Sequence, residues 1–264
     1  MNILFAVLVV GVLAFILGLV LEILSKKFAL PKDEKLEALL AIMPGANCGG
    51  CGYAGCAAYA EAVAKGEAEI GKCAPGGRQL ALSMGAIMGE STIAEPEKKV
   101  AFIACRGDAN HSLFEAKYDG ILDCRAASLL YNGLKGCKSG CLGLGSCAVS
   151  CPSNAIYKDN DGNYIVDKEK CTGCGVCIQT CPHKVIKLLP YDAPFAVACN
   201  NKESGLKVKR VCEMGCIGCR ICVNKFPSSG CVMDENLSYV DYSKDTSELE
   251  KAAEACPRKI ILKH

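Results

Sequence analysis

The feature that most constrains this chain is a run of four cysteines, Cys171-x2-Cys174-x2-Cys177-x3-Cys181, with Pro182 directly after it. Three thiolates on one tight loop can hold three irons of a [4Fe-4S] cubane, while the cysteine before proline points away and serves a neighbouring cluster. A zinc ribbon needs two separated ligand pairs around one tetrahedral ion, which leaves the third closely spaced cysteine without a role. The C-x-x-C-H of attached haem is absent.

The chain has 21 cysteines in 264 residues, far more than a hydrophobic core requires. An odd count, a length beyond that of small secreted scaffolds and repeated C-x2-C spacings argue against a disulfide framework and for metal held in a reducing compartment. With 51% apolar and 22% charged residues and a net charge of +2, the chain is neither disordered nor a polyanion binder, so no nucleic-acid partner is expected.

By the cysteine-proline rule, Cys151, before Pro152, completes the set of Cys171, Cys174 and Cys177, and Cys181 completes the neighbouring one. That neighbour has Cys141 and Cys147 but Leu144 where a middle cysteine would stand, so Cys137 is expected to fill its place. Downstream, Cys216, Cys219 and Cys222 form another triplet, with Cys256 before Pro257 as fourth ligand. Phe226 replaces the cysteine before Pro227, and no cysteine lies between Asp245 and Glu254, so this unit is expected to keep one cluster of two.

Nearer the N-terminus, Cys48, Cys51, Cys56 and Cys73 offer four thiolates with Gly49, Gly50, Gly52 and Gly55 between them. Glycine lets backbone N–H groups approach sulfur and offset a cluster's negative charge. Gly50, Gly52 and Gly55 also fit a literal G-x-G-x-x-G, but no strand precedes them, so a dinucleotide site is not expected. These sets make four clusters. Cys105, Cys124, Cys199, Cys212 and Cys231 remain, either as packed free thiols or as ligands of further clusters. His111, His183 and His264 show no ligand spacing, and Lys202, Lys207, Lys209 and Arg210 form a basic stretch that is either a solvated loop or a dock for an acidic electron carrier.

Ile3 to Leu21 carry no charge and the apolar run reaches Leu24, enough to cross a bilayer as one helix. Lys26, Lys27 and Lys32 follow it and nothing basic precedes it, which places the N-terminus outside and the cysteine-rich body in the cytoplasm. Leu36, Leu39, Leu40 and Met43 predict a helix stopped by Pro44-Gly45, residues 57–70 a second and 79–88 a third, with Glu95 to Lys99 as a linker. Val100 to Ala104 and Phe195 to Ala198 read as strands, each running into a cysteine, and Ala155 to Lys158 with Tyr164 to Val166 as a hairpin around Asp161-Gly162. A gapless match of Cys124, Cys137, Cys141, Cys147 and Cys151 with Cys199, Cys212, Cys216, Cys222 and Phe226 indicates a tandem repeat. The expected architecture is α+β: a membrane anchor (1–30), a four-cysteine domain (31–99), a two-cluster ferredoxin-like domain with its connecting segment (100–190) and a second, partly degenerate one (191–264).

The stretches Asn47 to Cys56, Gly136 to Cys147 and Cys171 to Pro182, behind a single anchor, resemble the B-subunit family of Rnf complexes in the long form of clostridia and related anaerobes. The first motif also resembles the iron-sulfur domain of acetyl-CoA pathway proteins. The resemblance implies an inner-membrane translocase that passes electrons between ferredoxin and NAD while moving Na+ or H+. This chain would receive electrons from ferredoxin, with the other components of the complex as partners. The residues alone indicate an anchored electron wire: there is no Walker loop or Ser-His-Asp arrangement, and one membrane helix makes no ion pathway. The alternatives are a reductive activator of a corrinoid protein and a scaffold with structural metal sites.

Overall fold

The computed structural model describes residues 2–27, 33–90 and 98–264. The first element is a single helix, α1 (Asn2–Lys27), of 26 residues. Its described side chains, Phe15, Leu17 and Leu21 among them, are exposed on all sides. Side chains are described without a break only from Val10 to Leu24, and among the described residues no helix is long and apolar enough to cross a membrane. The Lys26 and Lys27 side chains, Lys32 and most of the linker at Glu95 to Lys99 lie outside the described residues.

Three short helices follow. Asp33 caps α2 (Glu34–Ile42) by accepting from the Lys35 amide at 3.0 Å, and Pro44 follows its end. α3 (Cys56–Ala64) is shorter than its apolar pattern predicts, because Gly66 turns left-handed at φ 74°. Amides of Gly66 and Glu67 then bond back to the carbonyls of Val63 and Ala62, closing the helix. With α4 (Gly77–Met88), these helices bury Leu39, Tyr59, Val63, Leu80 and Met84 in one core.

The remainder holds two copies of one unit. In the first, β1 (Lys99–Ile103) leads through α5 (Cys124–Ser128) and α6 (Ser146–Val149) to the hairpin β2 (Ile156–Lys158) and β3 (Tyr164–Val166), then α7 (Val176–Thr180) and β4 (Ile186–Pro190). In the second, β5 (Phe195–Val197) leads through α8 (Gly205–Val211) and α9 (Ile221–Asn224) to β6 (Cys231–Asp234) and β7 (Leu237–Val240), then α10 (Leu249–Glu254) and β8 (Ile261–Lys263). First and last strands pair antiparallel in each, with Ile103 opposite Ile186 and Val197 opposite Ile261. This register makes Cys105, not Cys124, the counterpart of Cys199. The gapless match therefore holds from Cys137 onward and fails before it: 31 residues separate Cys105 from Cys137, whereas 12 separate Cys199 from Cys212. The extra chain of the first unit carries Cys124.

Both faces of the leading strands are covered, which is why Val100 to Ala104 is a continuous apolar run. Ala101 and Ile103 face a core with Cys147, Cys177, Val185 and Ile186, while Phe102 and Ala104 pack on Ala196 and Ala198 of the second unit. The inserted segment joins the units again, where the Leu113 amide donates to Val211 (2.9 Å) and the Glu213 amide to His111 (2.8 Å).

Candidate iron-sulfur centres

Cys48, Cys51 and Cys56 come close enough to Cys73 for charge on them to act on it. The Cys48-to-Cys56 loop turns on Gly49 (φ 69°) and Gly52 (φ 89°), conformations that need glycine. Asn47 accepts from the Cys56 amide at 2.9 Å, and a Cβ on Gly55 would meet that same Asn47 oxygen at 2.9 Å. Burial pushes the Cys73 thiol up, and negative charge on Cys56, Cys51 and Cys48 would push it further. The loop also touches the first unit: a Cβ on Gly50 would stand 2.1 Å from the Cys174 carbonyl oxygen.

The two units enclose four cavities, each ringed by four cysteines. Cys151, Cys171, Cys174 and Cys177 surround one of ≈ 300 Å³. Its loop depends on Gly173, at φ 68° and so close to the Lys99 carbonyl that a Cβ would lie 2.3 Å from it. The Ala101 amide donates to Cys171 Sγ at 3.4 Å and the Ala155 amide to Cys151 Sγ at 3.3 Å.

Cys124, Cys141, Cys147 and Cys181 line a second cavity of ≈ 380 Å³. Cys137, expected here, lines a different one. Cys124 takes the corner that Leu144 leaves, because Asp123 caps α5 through the Ala126 amide (2.8 Å) and binds Ser146 (2.9 Å), drawing α5 against α6. Cys216, Cys219, Cys222 and Cys256 line a third, of ≈ 400 Å³. Where the first unit has Cys174 and Cys177, the second has Leu249 and Ala252, both buried. The fourth cavity, of ≈ 290 Å³, is lined by Cys105, Cys137, Cys199 and Cys212, two from each unit. Spacing could not group these four. The signal for it was the strand-end cysteine found in both repeats. Cys231 is buried on β6 against Cys222, whose thiol is pushed up by their mutual hydrogen bond and then by burial.

Burial pushes the Cys141, Cys147, Cys177 and Cys199 thiols up to about 12, with neighbouring cysteines adding to it. Such thiols ionise only when a metal takes the proton's place. Among the described residues no three donors converge where a single metal ion could sit. The sulfurs stand around cavities instead, which suits a four-iron cubane better than one tetrahedral ion.

The histidines stay apart from most of these sites. His111 pairs with buried Asp108 at 2.8 Å, His264 packs edge-on to Phe102, and His183, beside the second cavity, bonds the Gly140 carbonyl at 2.7 Å. In the basic stretch, Lys202 pairs with Asp234 (2.6 Å) and Lys207 with Glu203 (3.6 Å).

Two family models match the chain: one for an Fe-S cluster at residues 43–75 and one for a 4Fe-4S binding domain at 164–187. The B subunit of the ion-translocating oxidoreductase complex of Methanosarcina acetivorans is 38% identical over 94% of this chain and 94% of its own. Its counterpart in the proton-translocating ferredoxin:NAD(+) oxidoreductase complex of Clostridium ljungdahlii is 39% identical over 92% of this chain and 86% of its own. The Na(+)-translocating counterpart of Acetobacterium woodii is 37% identical over 96% and 75%. Similarity at this level along nearly the whole length places the chain in the family of B subunits of ion-translocating oxidoreductase (Rnf) complexes.

Proposed function

We propose that this chain is the membrane-anchored electron-transfer component of a ferredoxin:NAD oxidoreductase complex that moves Na+ or H+, taking electrons from reduced ferredoxin. The observation that carries this reading is that the cysteine sites adjoin one another. The Gly50 loop abuts Cys174, and Cys177 lies close enough to Cys147 for their charges to interact. Four sets would hold [4Fe-4S] clusters: Cys48, Cys51, Cys56 and Cys73; Cys151, Cys171, Cys174 and Cys177; Cys124, Cys141, Cys147 and Cys181; and Cys216, Cys219, Cys222 and Cys256. Such clusters supply reversible one-electron chemistry, at potentials set by net charge, sulfur hydrogen bonds and exposure. The chain's own part is to hold the irons with thiolates, to direct amides such as those of Ala101 and Ala155 at the sulfurs, and to keep the sites half-buried.

The anchor belongs to the same reading. The uncharged run from Ile3 to Leu21 supports it, since as one helix it would match the roughly 30 Å of a hydrocarbon layer. The lysines after it set the body on the cytoplasmic side of the inner membrane.

Titrating the purified complex with reduced ferredoxin under electron paramagnetic resonance tests the function. Iron that stays spectroscopically silent and unreduced would support a structural scaffold instead. Protease treatment of oriented vesicles tests the topology: a body cut only from the external face would sink it.

A further inference from the structure

We propose that Cys105, Cys137, Cys199 and Cys212 hold a fifth [4Fe-4S] cluster, placed between the two units, that joins their electron paths into one line. The proposal rests on the reading of the other sites as redox clusters and goes beyond it.

Each of the four sulfurs already receives a hydrogen bond. The Cys141 amide donates to Cys105 Sγ and the Cys216 amide to Cys199 Sγ, both at 3.3 Å. The Asn201 side-chain amide donates to Cys137 Sγ at 3.4 Å, and the Ser112 hydroxyl to Cys212 Sγ at 3.9 Å. Asn201 is 2% exposed, a burial that a polar side chain tolerates only with its partners in place. Donors aimed at every sulfur suit thiolates and are more than packed free thiols require.

Charge points the same way. Four thiolates around a cubane carry net negative charge, and the cavity wall includes Arg106, whose Nη1 is buried without a hydrogen-bond partner. Arg258 holds the Cys212 carbonyl at 2.7 Å, and buried Lys135 binds the Gly107 carbonyl. A buried guanidinium nitrogen with nothing to bind is costly unless an anion faces it.

Symmetry explains the placement. Cys105 and Cys199 each follow the last residue of the leading strand of their unit by two positions, and Cys137 and Cys212 each precede the first cysteine of a cluster loop by four positions. Packing of Phe102 and Ala104 on Ala196 and Ala198 brings these half-sites together. The amides reaching Cys105 and Cys199 belong to Cys141 and Cys216, ligands of the flanking sites, so one peptide unit separates this site from each neighbour. Exchange across it is a one-electron step: one neighbour is oxidised as the next is reduced, ferredoxin is the external reductant, and no bond forms or breaks.

The test uses the full chain purified without oxygen in detergent. About 20 irons per chain are expected, four for each of five cubanes, against about 16 without this site. Cys137→Ser and Cys212→Ser should each remove about four irons and one resonance component. Asn201→Leu should keep the iron and shift one component to lower potential, because a hydrogen bond that favours the more negative state is lost. About 16 irons in the wild type, zinc at one per chain, or an Asn201→Leu protein with every potential unchanged would overturn the fifth site while leaving the four-cluster reading intact. An iron content near zero would overturn both.

Discussion

Leu249 is where the second unit carries hydrocarbon in place of the first unit's Cys174, and truncating it has a calculable effect. Its side chain is 1% exposed and packs with Val197, Leu237 and Ile260. Leu249→Ala deletes three buried carbons, about 2.4 kcal/mol at roughly 0.8 kcal/mol each. The residual cavity raises this toward the roughly 2.7–5 kcal/mol seen for such truncations. Because about 1.4 kcal/mol is tenfold, amides of β5 and β8 should exchange hydrogen about 50-fold to 4,000-fold faster, if their protection reports opening of the whole second unit. Hydrogen-exchange mass spectrometry of peptides covering residues 195–199 and 258–264 reads this directly. Leu249→Met, which keeps the volume, should lose less than about 1.5 kcal/mol. Neither variant should lose iron, since no cluster is expected on that side of the unit. Unchanged exchange in Leu249→Ala, or loss of about four irons from Leu249→Met, would refute the assignment of this region to hydrophobic core.

Cys181→Ser should abolish the cluster of Cys124, Cys141 and Cys147 and spare that of the Cys171 loop; resonance spectra showing only the latter lost would reverse the assignment. Cluster assembly on the metal-free chain should strengthen as pH rises, because buried thiols such as Cys141 and Cys147, pushed up to about 12, must give up protons to bind iron. The metal-free fold itself should weaken between the ordinary thiol value of 9.0 and about 12, where unfolded cysteines ionise and these do not. Reconstitution and denaturation across that range check both signs. Gly50→Ala would set a methyl 2.1 Å from the Cys174 carbonyl and cost roughly 1–3 kcal/mol of overpacking. Iron content should hold while freeze-quench spectra show slower electron exchange between the helical domain and the Cys171 loop, and an unchanged rate would remove that contact from the path.

What could be read without the structure was local. The Cys171 loop, the Cys48 loop and the Cys216 triplet each carry their cysteines within a few residues of one another, so residue spacing alone proposes them as sets. The Asp161-Gly162 hairpin and the helix stop before Pro44 were legible for the same reason. Cys124 and Cys137 were not. Each reaches its cavity through the segment between Cys105 and Cys141, whose length says nothing about which sulfur faces which cavity. That choice is made by contacts between distant residues. Asp123 draws α5 onto Ser146 and sets Cys124 beside Cys147, while the second face of β1, packed on β5, brings Cys105 and Cys137 to Cys199 and Cys212. The cysteine composition determined that this protein is organised around metal. The gathering of Cys105, Cys137, Cys199 and Cys212 around one cavity was decided by the packing of two strands, because the local chain of each unit supplies only two of the four.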